Sequence, residues 1–212
     1  MHDEAGREQG LERLKGQIAV CRRCIDDPVG SPLPHAPRPV VRVSSTARLA
    51  IVGQAPGLRV HESGIPFDDR SGDRLRDWMG VDRDTFYDSR RIAIIPMGFC
   101  FPGYDAKGGD LPPRKECAPL WRQQVFDLMP QLELLLVIGM YAQSWHLGKL
   151  RSKTLTDTVA NWRAIMEEGG ECRSIPLPHP SWRNTGWLKK NPWFEAELLP
   201  VLRSEVTRLT LE

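Results

Sequence analysis

The sequence predicts an α/β fold: a three-layer α/β/α sandwich around a central, mostly parallel four-stranded sheet. Three observations predict it. Short strand-like runs near residues 48–52, 91–96, 132–138 and 173–177 alternate with segments of helical apolar spacing, as in a parallel sheet covered on both faces. The run at 132–138, LELLLVI, is apolar almost throughout, the mark of a strand buried on both sides. The first run breaks into Gly53-Gln54-Ala55-Pro56-Gly57, a glycine-bracketed turn of the kind that ends a buried parallel strand at a ligand crevice.

In chain order, Leu11, Leu14 and Ile18 stand at near-helical spacing and predict an amphipathic helix over 7–20. The proline-rich stretch 27–39 reads as an extended, ordered surface arm. Residues 48–52 form the first strand, and Leu75, Trp78 and Met79 share one face of a helix over 71–79. RIAIIP at 91–96 is the second strand and 104–113 a glycine- and proline-rich loop, followed by a helix over 119–129. After the third strand, Gly139 turns the chain into a helix near 141–147. Residues 154–166 carry a helical pattern capped at Thr154 or Thr156. The fourth strand, 173–177, delivers Pro178-His179-Pro180-Ser181 into a loop, and a closing helix spans 192–209 with Pro200 as a kink or break. The organisation is one domain over 1–212: an N-terminal helix and arm at 1–46 and a sandwich core at 47–212.

With 212 residues, 41% hydrophobic and 26% charged, the chain is long enough for a sizeable core. A net charge of +2 excludes neither nucleic acid nor small acidic ligands, so any basic surface is local. No run is apolar enough to span a bilayer, and the polar start MHDEAGREQG lacks a signal peptide's apolar segment. The expectation is a cytoplasmic protein without a membrane partner, whose five cysteines serve as metal ligands, reactive thiols or core residues rather than disulfides.

Two constellations carry chemistry. Cys21-x2-Cys24 is a chelating pair, and Cys100 and Cys117 add two loop thiols, enough for a [4Fe–4S] cluster or, alternatively, one zinc. The bland reading is four buried thiols without metal; Cys172 has no partner by this logic and reads as core. The second constellation is His179-Pro180-Ser181-Trp182-Arg183-Asn184 with Trp187, Lys189, Lys190 and Trp193. A histidine on a proline-fixed loop presents its ring rigidly, and cations interleaved with indoles suit phosphates and unstacked bases. The alternative is that the indoles fill core and the lysines form a solvated face. His61 lies in the loop after the turn and is balanced between ligand contact and surface; His2, His35 and His146 read as structural or exposed. Asp68 and Asp69 follow Phe67, placed either to orient a water or to pair with Arg70 and Arg74.

Together these residues resemble the uracil-DNA glycosylase superfamily, nearest its iron–sulfur-bearing branch. The elements are Cys21/Cys24, GQAPG at 53–57, SGIPF at 63–67, CFPG at 100–103, Cys117 and HPS at 179–181, in the branch's order and covering nearly the whole chain. The resemblance implies a monomeric, base-flipping enzyme that hydrolyses the bond between deoxyribose and uracil in DNA, leaving an abasic site. It is expected to be monofunctional, because no lysine stands where Schiff-base chemistry needs one. Phe67 would stack on the flipped base, and backbone N–H groups of Gly53, Gln54, Ala55, Pro56 and Gly57 (Pro56 lacking one) would line the uracil or sugar-phosphate. His179 would stabilise the departing anion at O2. Ser181 would bind a flanking phosphate, with Arg183, Lys189 and Lys190 on the DNA, and Trp182 or Arg183 would fill the gap left in the stack. The four cysteines would hold a structural cluster.

The chain departs from the branch in two places. The acidic residue of the turn is Gln54, its neighbour is Ala55, and Leu58-Arg59-Val60-His61 replaces the usual acidic residues, so water activation falls to Asp68 first, then Asp69, then His61. The asparagine that reads uracil is Pro96 here. Backbone of Met97, Gly98 and Phe99, or side chains such as Asn184 or Gln54, would replace it, which leaves hypoxanthine or xanthine open as the target. Two alternatives to a glycosylase follow: a non-catalytic or product-retaining binder of uracil or abasic DNA, and a nucleobase-processing enzyme acting on something other than DNA.

Overall fold

The computed structural model describes residues 2–211, the side chains of His2 and Asp3 excepted. The chain begins with α1 (His2–Ala19), whose Leu11, Leu14 and Ile18 are buried at the expected spacing, and a short α2 (Arg23–Asp26). β1 (Leu49–Val52) leads through the glycine turn into α3 (Leu58–Ser63), α4 (Arg70–Met79) and α5 (Arg83–Tyr87). β2 (Ile92–Ile94) is followed by a long loop and α6 (Cys117–Asp127). β3 (Leu134–Ile138) runs directly into α7 (Gly139–His146), and α8 (Leu155–Ala160) and α9 (Trp162–Glu168) precede β4 (Arg173–Leu177). α10 (Thr185–Lys190) and α11 (Leu199–Thr210) complete the chain.

The sheet has four strands in the order β2-β1-β3-β4, every pair parallel. The expectation of a mostly parallel sheet is thus met by a wholly parallel one. Alternate strand residues face opposite layers, as the two-residue period requires. Ala50, Val52, Ala93, Ile95, Leu135 and Val137 pack against α1, α6 and Ala142 of α7. Leu49, Ile51, Ile92, Ile94, Leu134, Leu136 and Ile138 pack against α4, Phe86, Trp162 and α11. The chain leaves β1 for β2 on one side and returns to β3 on the other, so β1 lies at the topological switch point where open α/β sheets bind ligands.

Several elements differ from the sequence expectation, each for a local reason. LRVHES after the turn is helical, one short turn that buries only Val60 and so shows no apolar period. The pattern at 154–166 is two helices broken at Asn161; Thr154 is the cap, its hydroxyl accepting from the Asp157 N–H at 3.1 Å. Pro200 does not break the closing helix. A π-turn over Phe194–Leu198 precedes α11, and Pro200 sits in its first turn, where no N–H is missed.

The arm sheathes the sheet's edge. Arg42 exchanges both backbone hydrogen bonds with Ile94 (3.0 and 2.7 Å), and the Val40 N–H donates to Phe99 O at 2.7 Å. An exposed edge that would otherwise template a second chain is thereby paired. Among the described residues no helix is long and apolar enough to cross a membrane.

One close approach shapes the crevice. Phe67 adopts φ +54°, and a Cβ placed on Gly72 would lie 1.8 Å from the Phe67 carbonyl oxygen. Only glycine fits there. The variant G72A is expected to lose about 3 kcal/mol or more, an overpacking penalty at the top of the usual range, read as a lower urea midpoint.

Candidate active site

A cavity of ≈ 500 Å³ opens at the carboxyl ends of the strands, within the range of small-ligand sites. Gly53 to Gly57 form its floor, Phe67 and Asp69 one wall, and His179, Ser181, Trp182 and Arg183 another. Arg59, Arg70, Tyr104 and Asp110 contribute as well, and Pro96 lies at the base. The turn and the histidine loop, separated by over a hundred residues, meet here because β1 and β4 both flank β3 in parallel.

The turn is braced by backbone alone. The Met97 N–H donates to Gly53 O at 2.9 Å and the Gly98 N–H to Gln54 O at 3.0 Å. Phe67 is held over it: a side chain on Gly53 would begin 3.6 Å from Phe67 Cζ. The Tyr87 hydroxyl donates to Pro66 O at 2.9 Å, and Phe86 meets the Phe67 ring edge-on at 6.2 Å. A non-glycine residue with positive φ, clamped this fully at a crevice, is the signature of strain retained for a site.

His179 is held in one tautomer. The backbone N–H of Ser181 donates to Nδ1 at 3.2 Å, so in the neutral ring the proton sits on Nε2. Burial pushes the imidazole below its ordinary pKa, with Asp69 and Asp110 opposing part of the shift. The ring is therefore neutral at pH 7 and acts as a hydrogen-bond donor. The Asn184 amide donates to His179 O at 2.7 Å, and Arg74 Nη1 to Ser181 O at 2.9 Å, which fixes the loop on α4. Ser181 Oγ accepts from the Arg183 N–H at 3.3 Å and keeps its own proton free.

The expected site residues divide sharply. Gly53, Gln54, Ala55, Pro56, Gly57, Phe67, Asp69, His179, Ser181, Trp182 and Arg183 line the cavity. Asp68 does not; it pairs with Arg83 at 3.2 Å. His61 is also outside, tilted against His35 with ring centroids 4.3 Å apart and near Phe101. Met97 and Gly98 direct their N–H groups to the turn, one N–H of the Asn184 amide bonds to the loop, and none of the three residues is in the cavity lining. Lys189 and Lys190 lie on α10, away from the cavity lining. His146 is structural, and His2 lies outside the described side chains. The sequence reading missed Asp110, which sits in an exposed glycine-rich loop with no motif around it; its only signal was a lone acid between Gly108-Gly109 and Pro112-Pro113.

The thiols converge elsewhere. Cys21, Cys24, Cys100 and Cys117 line one small pocket beside the arm, with Pro37, Pro39 and Trp121. Burial pushes Cys24 up to about 11 and Cys100 and Cys117 to about 12. The Phe99 N–H points at Cys117 Sγ, 3.3 Å away. All five cysteines are free thiols, and among the described residues no group of three or more His, Cys, Asp or Glu closes into a metal-ion site. Arg122 lies behind this pocket, 2% exposed, with Nη1 on Ile95 O and Pro96 O (3.1 and 2.9 Å) and Nη2 on His146 Nε2.

Residues 41–203 match the description Uracil DNA glycosylase superfamily. The chain belongs to that superfamily. The match covers the sheet, the cavity and both Cys100 and Cys117; it begins after Cys21 and Cys24, so the pocket of thiols is only half inside it.

Burial, reinforced by Arg122, holds the His146 imidazole down at about 3, against 6.5 for the free group. The unfolded chain therefore takes up a proton as pH falls below about 6.5 while the folded chain does not, and stability is lost through that window. Between pH 7 and pH 4.5 this group alone costs about 2–3 kcal/mol. The variant H146Q, which keeps an acceptor for Arg122, is expected to remove most of that difference in urea unfolding.

Proposed function

We propose that this protein is a monofunctional, monomeric DNA glycosylase that draws a damaged base, uracil foremost, out of the stack and hydrolyses its N-glycosidic bond, leaving an abasic site. The observation that carries the reading is the tautomer-locked, neutral His179 sharing one cavity with Phe67 and the backbone-braced turn. A base entering this cavity can stack on Phe67 while His179 Nε2–H meets the oxygen that gains charge as the base leaves. The donor is held in place before the reaction, so no reorganisation is needed when the charge appears. Burial of the ring keeps it from being protonated first, a state in which it would favour the ground state of any nearby phosphate.

Base reading falls to Gln54. Its carboxamide lines the cavity and forms no hydrogen bond with the described residues. It sets an NH2 donor beside a carbonyl acceptor, the complement of the adjacent C=O and N–H that uracil, hypoxanthine and xanthine all carry. This supports a deaminated base as the target class. Around the mouth, Arg59, Arg70 and Arg183 suit phosphates, and Trp182, 68% exposed beside Arg183, is placed to occupy the vacated position in the stack. The missing carboxylate in the turn favours a second reading, a binder that retains flipped or abasic DNA without turnover.

The reading extends to a structural [4Fe–4S] cluster held by Cys21, Cys24, Cys100 and Cys117, with zinc as the alternative. Two observations support the fit. Four thiols drawn from three separate segments line one pocket. Arg122 is a buried cation with no carboxylate partner among the described residues, and Cys117 is the one group whose thiolate form would act on it electrostatically. A thiolate cluster would balance that charge. The group would serve as a crosslink between the arm and the loop before α6, and base excision requires nothing further of it.

The test is release of uracil from a single-stranded oligonucleotide with one uracil, followed by alkali cleavage at the abasic site. Wild type is expected to cleave and H179A to be about 10²–10³-fold slower. Tight binding without release, of uracil, hypoxanthine or xanthine alike, would establish the binder. Separately, anaerobically purified protein is expected to be brown and to lose its colour in C24S and C100S; colourless protein with bound zinc would assign zinc.

A further inference from the structure

We propose that Asp110, in the loop between β2 and α6, is the general base that activates the hydrolytic water, replacing the carboxylate that the turn after β1 lacks. The inference rests on the glycosylase reading above.

Hydrolysis at the anomeric carbon needs somewhere for a water proton to go. Gln54 cannot accept one at neutral pH, and Ala55 has no group to offer. Among the described residues, two carboxylates line the cavity: Asp69 and Asp110. Asp69 already has a task, since its Oδ1 accepts the Gly72 N–H at 2.9 Å and caps α4. That bond also holds the crowded segment between Phe67 and Gly72. Asp68, outside the cavity, is tied to Arg83.

Asp110 is free to act. Its carboxylate makes no hydrogen bond or ion pair with any described residue, and its Oδ2 stands 3.8 Å from where a side chain on Gly57 would begin, directly beside the turn. The residue is exposed at the rim, but its backbone is not loose. It forms a bridge with Tyr104, the Leu111 N–H donates to Gly103 O at 2.9 Å, and Asp105 Oδ1 closes the loop on the N–H groups of Lys107 and Gly109 at 2.8 and 2.9 Å. Positioning of this kind is what a general base needs before its pKa matters. Partial burial of the carboxyl against the cavity wall also raises it above its ordinary pKa, Asp69 acting in the same sense, while Arg183 and His179 oppose it. A carboxylate shifted upward is the better proton acceptor near neutrality.

The charge balance of the cavity points the same way. Arg59, Arg70 and Arg183 line the same cavity, and a carboxylate among them weakens phosphate binding. Asp110 therefore opposes affinity, and its use must lie in the chemical step. In that step the C1′–N1 bond breaks and its electron pair stays on the base, whose oxygen takes the hydrogen bond from His179. The water oxygen bonds to C1′, its proton passes to Asp110, and the departing base regains that proton, so water is divided between sugar and base and Asp110 returns to its ionised form.

The experiment is single-turnover release from the uracil oligonucleotide by the full chain, across pH, for wild type, D110N and D110E, with DNA affinity measured at one salt concentration. D110N is expected to be about 10²–10³-fold slower, to bind DNA equally or more tightly, and to lose the fall in rate that wild type shows as pH drops through the Asp110 pKa. D110E, which restores the carboxylate one methylene further out, is expected to recover part of the rate and the pH dependence. Because the side chain has no partner among the described residues, circular dichroism and the unfolding midpoint should match wild type for both variants. Wild-type rate and pH profile in D110N would overturn the proposal, as would parallel loss of affinity and rate in D110N and D110E. Wild type that releases no uracil, hypoxanthine or xanthine would overturn the glycosylase reading and this role with it, whereas release by wild type matched by D110N would overturn the role of Asp110 alone.

Discussion

The Phe67 carbonyl lies so near Gly72 that no side chain fits between them, and the Phe67 ring crosses over Gly53 at the end of β1. Two glycines and one residue with positive φ thus bring three backbone segments together where only one is a strand. The rest of the crevice follows from this packing. α4 starts at Arg70 with Asp69 as its cap, the carboxylate reaching forward to accept the Gly72 N–H within the same tight segment as Phe67. The Tyr87 hydroxyl, on the far side, takes up the carbonyls that such a backbone leaves exposed. Cost in backbone strain is met by hydrogen bonds on both flanks, which is how strained residues persist at sites.

A second pattern is the economy of the polar backbone around the cavity. Met97 and Gly98 direct their N–H groups inward to the turn, and Val40 and Arg42 of the arm cover the edge of β2. Those bonds use the turn's carbonyls, and the N–H groups of Gln54, Ala55 and Gly57 donate to no described residue, so they remain for a ligand beside the side chains of Gln54 and His179 and the arginines at the mouth. Buried backbone that is already paired cannot be borrowed for binding without leaving a partner unsatisfied.

Arg122 links the two functional regions. One nitrogen bonds to the carbonyls of Ile95 and Pro96 at the end of β2, while the same guanidinium lies on α6 close to Cys117 and against the Phe126 ring at 5.2 Å. A buried cation that grips strand-end carbonyls on one side and stands by thiols on the other makes the position of the cysteine pocket relevant to the cavity floor. Its neighbour His146 is kept neutral by the same burial and by repulsion from that charge, so the pair acts as a single acid-sensitive unit of the core.

The four strands and the apolar faces of α1 and α4 were legible in the sequence because burial of a parallel sheet requires apolar residues in unbroken or helically spaced runs, a local pattern. The turn, Phe67 and the histidine loop were legible as motifs for the same reason: each is contiguous. What only the tertiary structure decided is which groups remain free. Asp68 and Asp69 are adjacent and chemically identical, yet one faces Arg83 and the other the cavity. Met97, Gly98 and Asn184 carry suitable donors, but partners brought from Gly53, Gln54 and His179 consume them. Asp110 had no motif and became visible only when its loop folded beside Gly57. A side chain's chemistry is a property of its sequence position, whereas its availability depends on hydrogen-bond and charge partners set by the order β2-β1-β3-β4, which residues distant along the chain determine together.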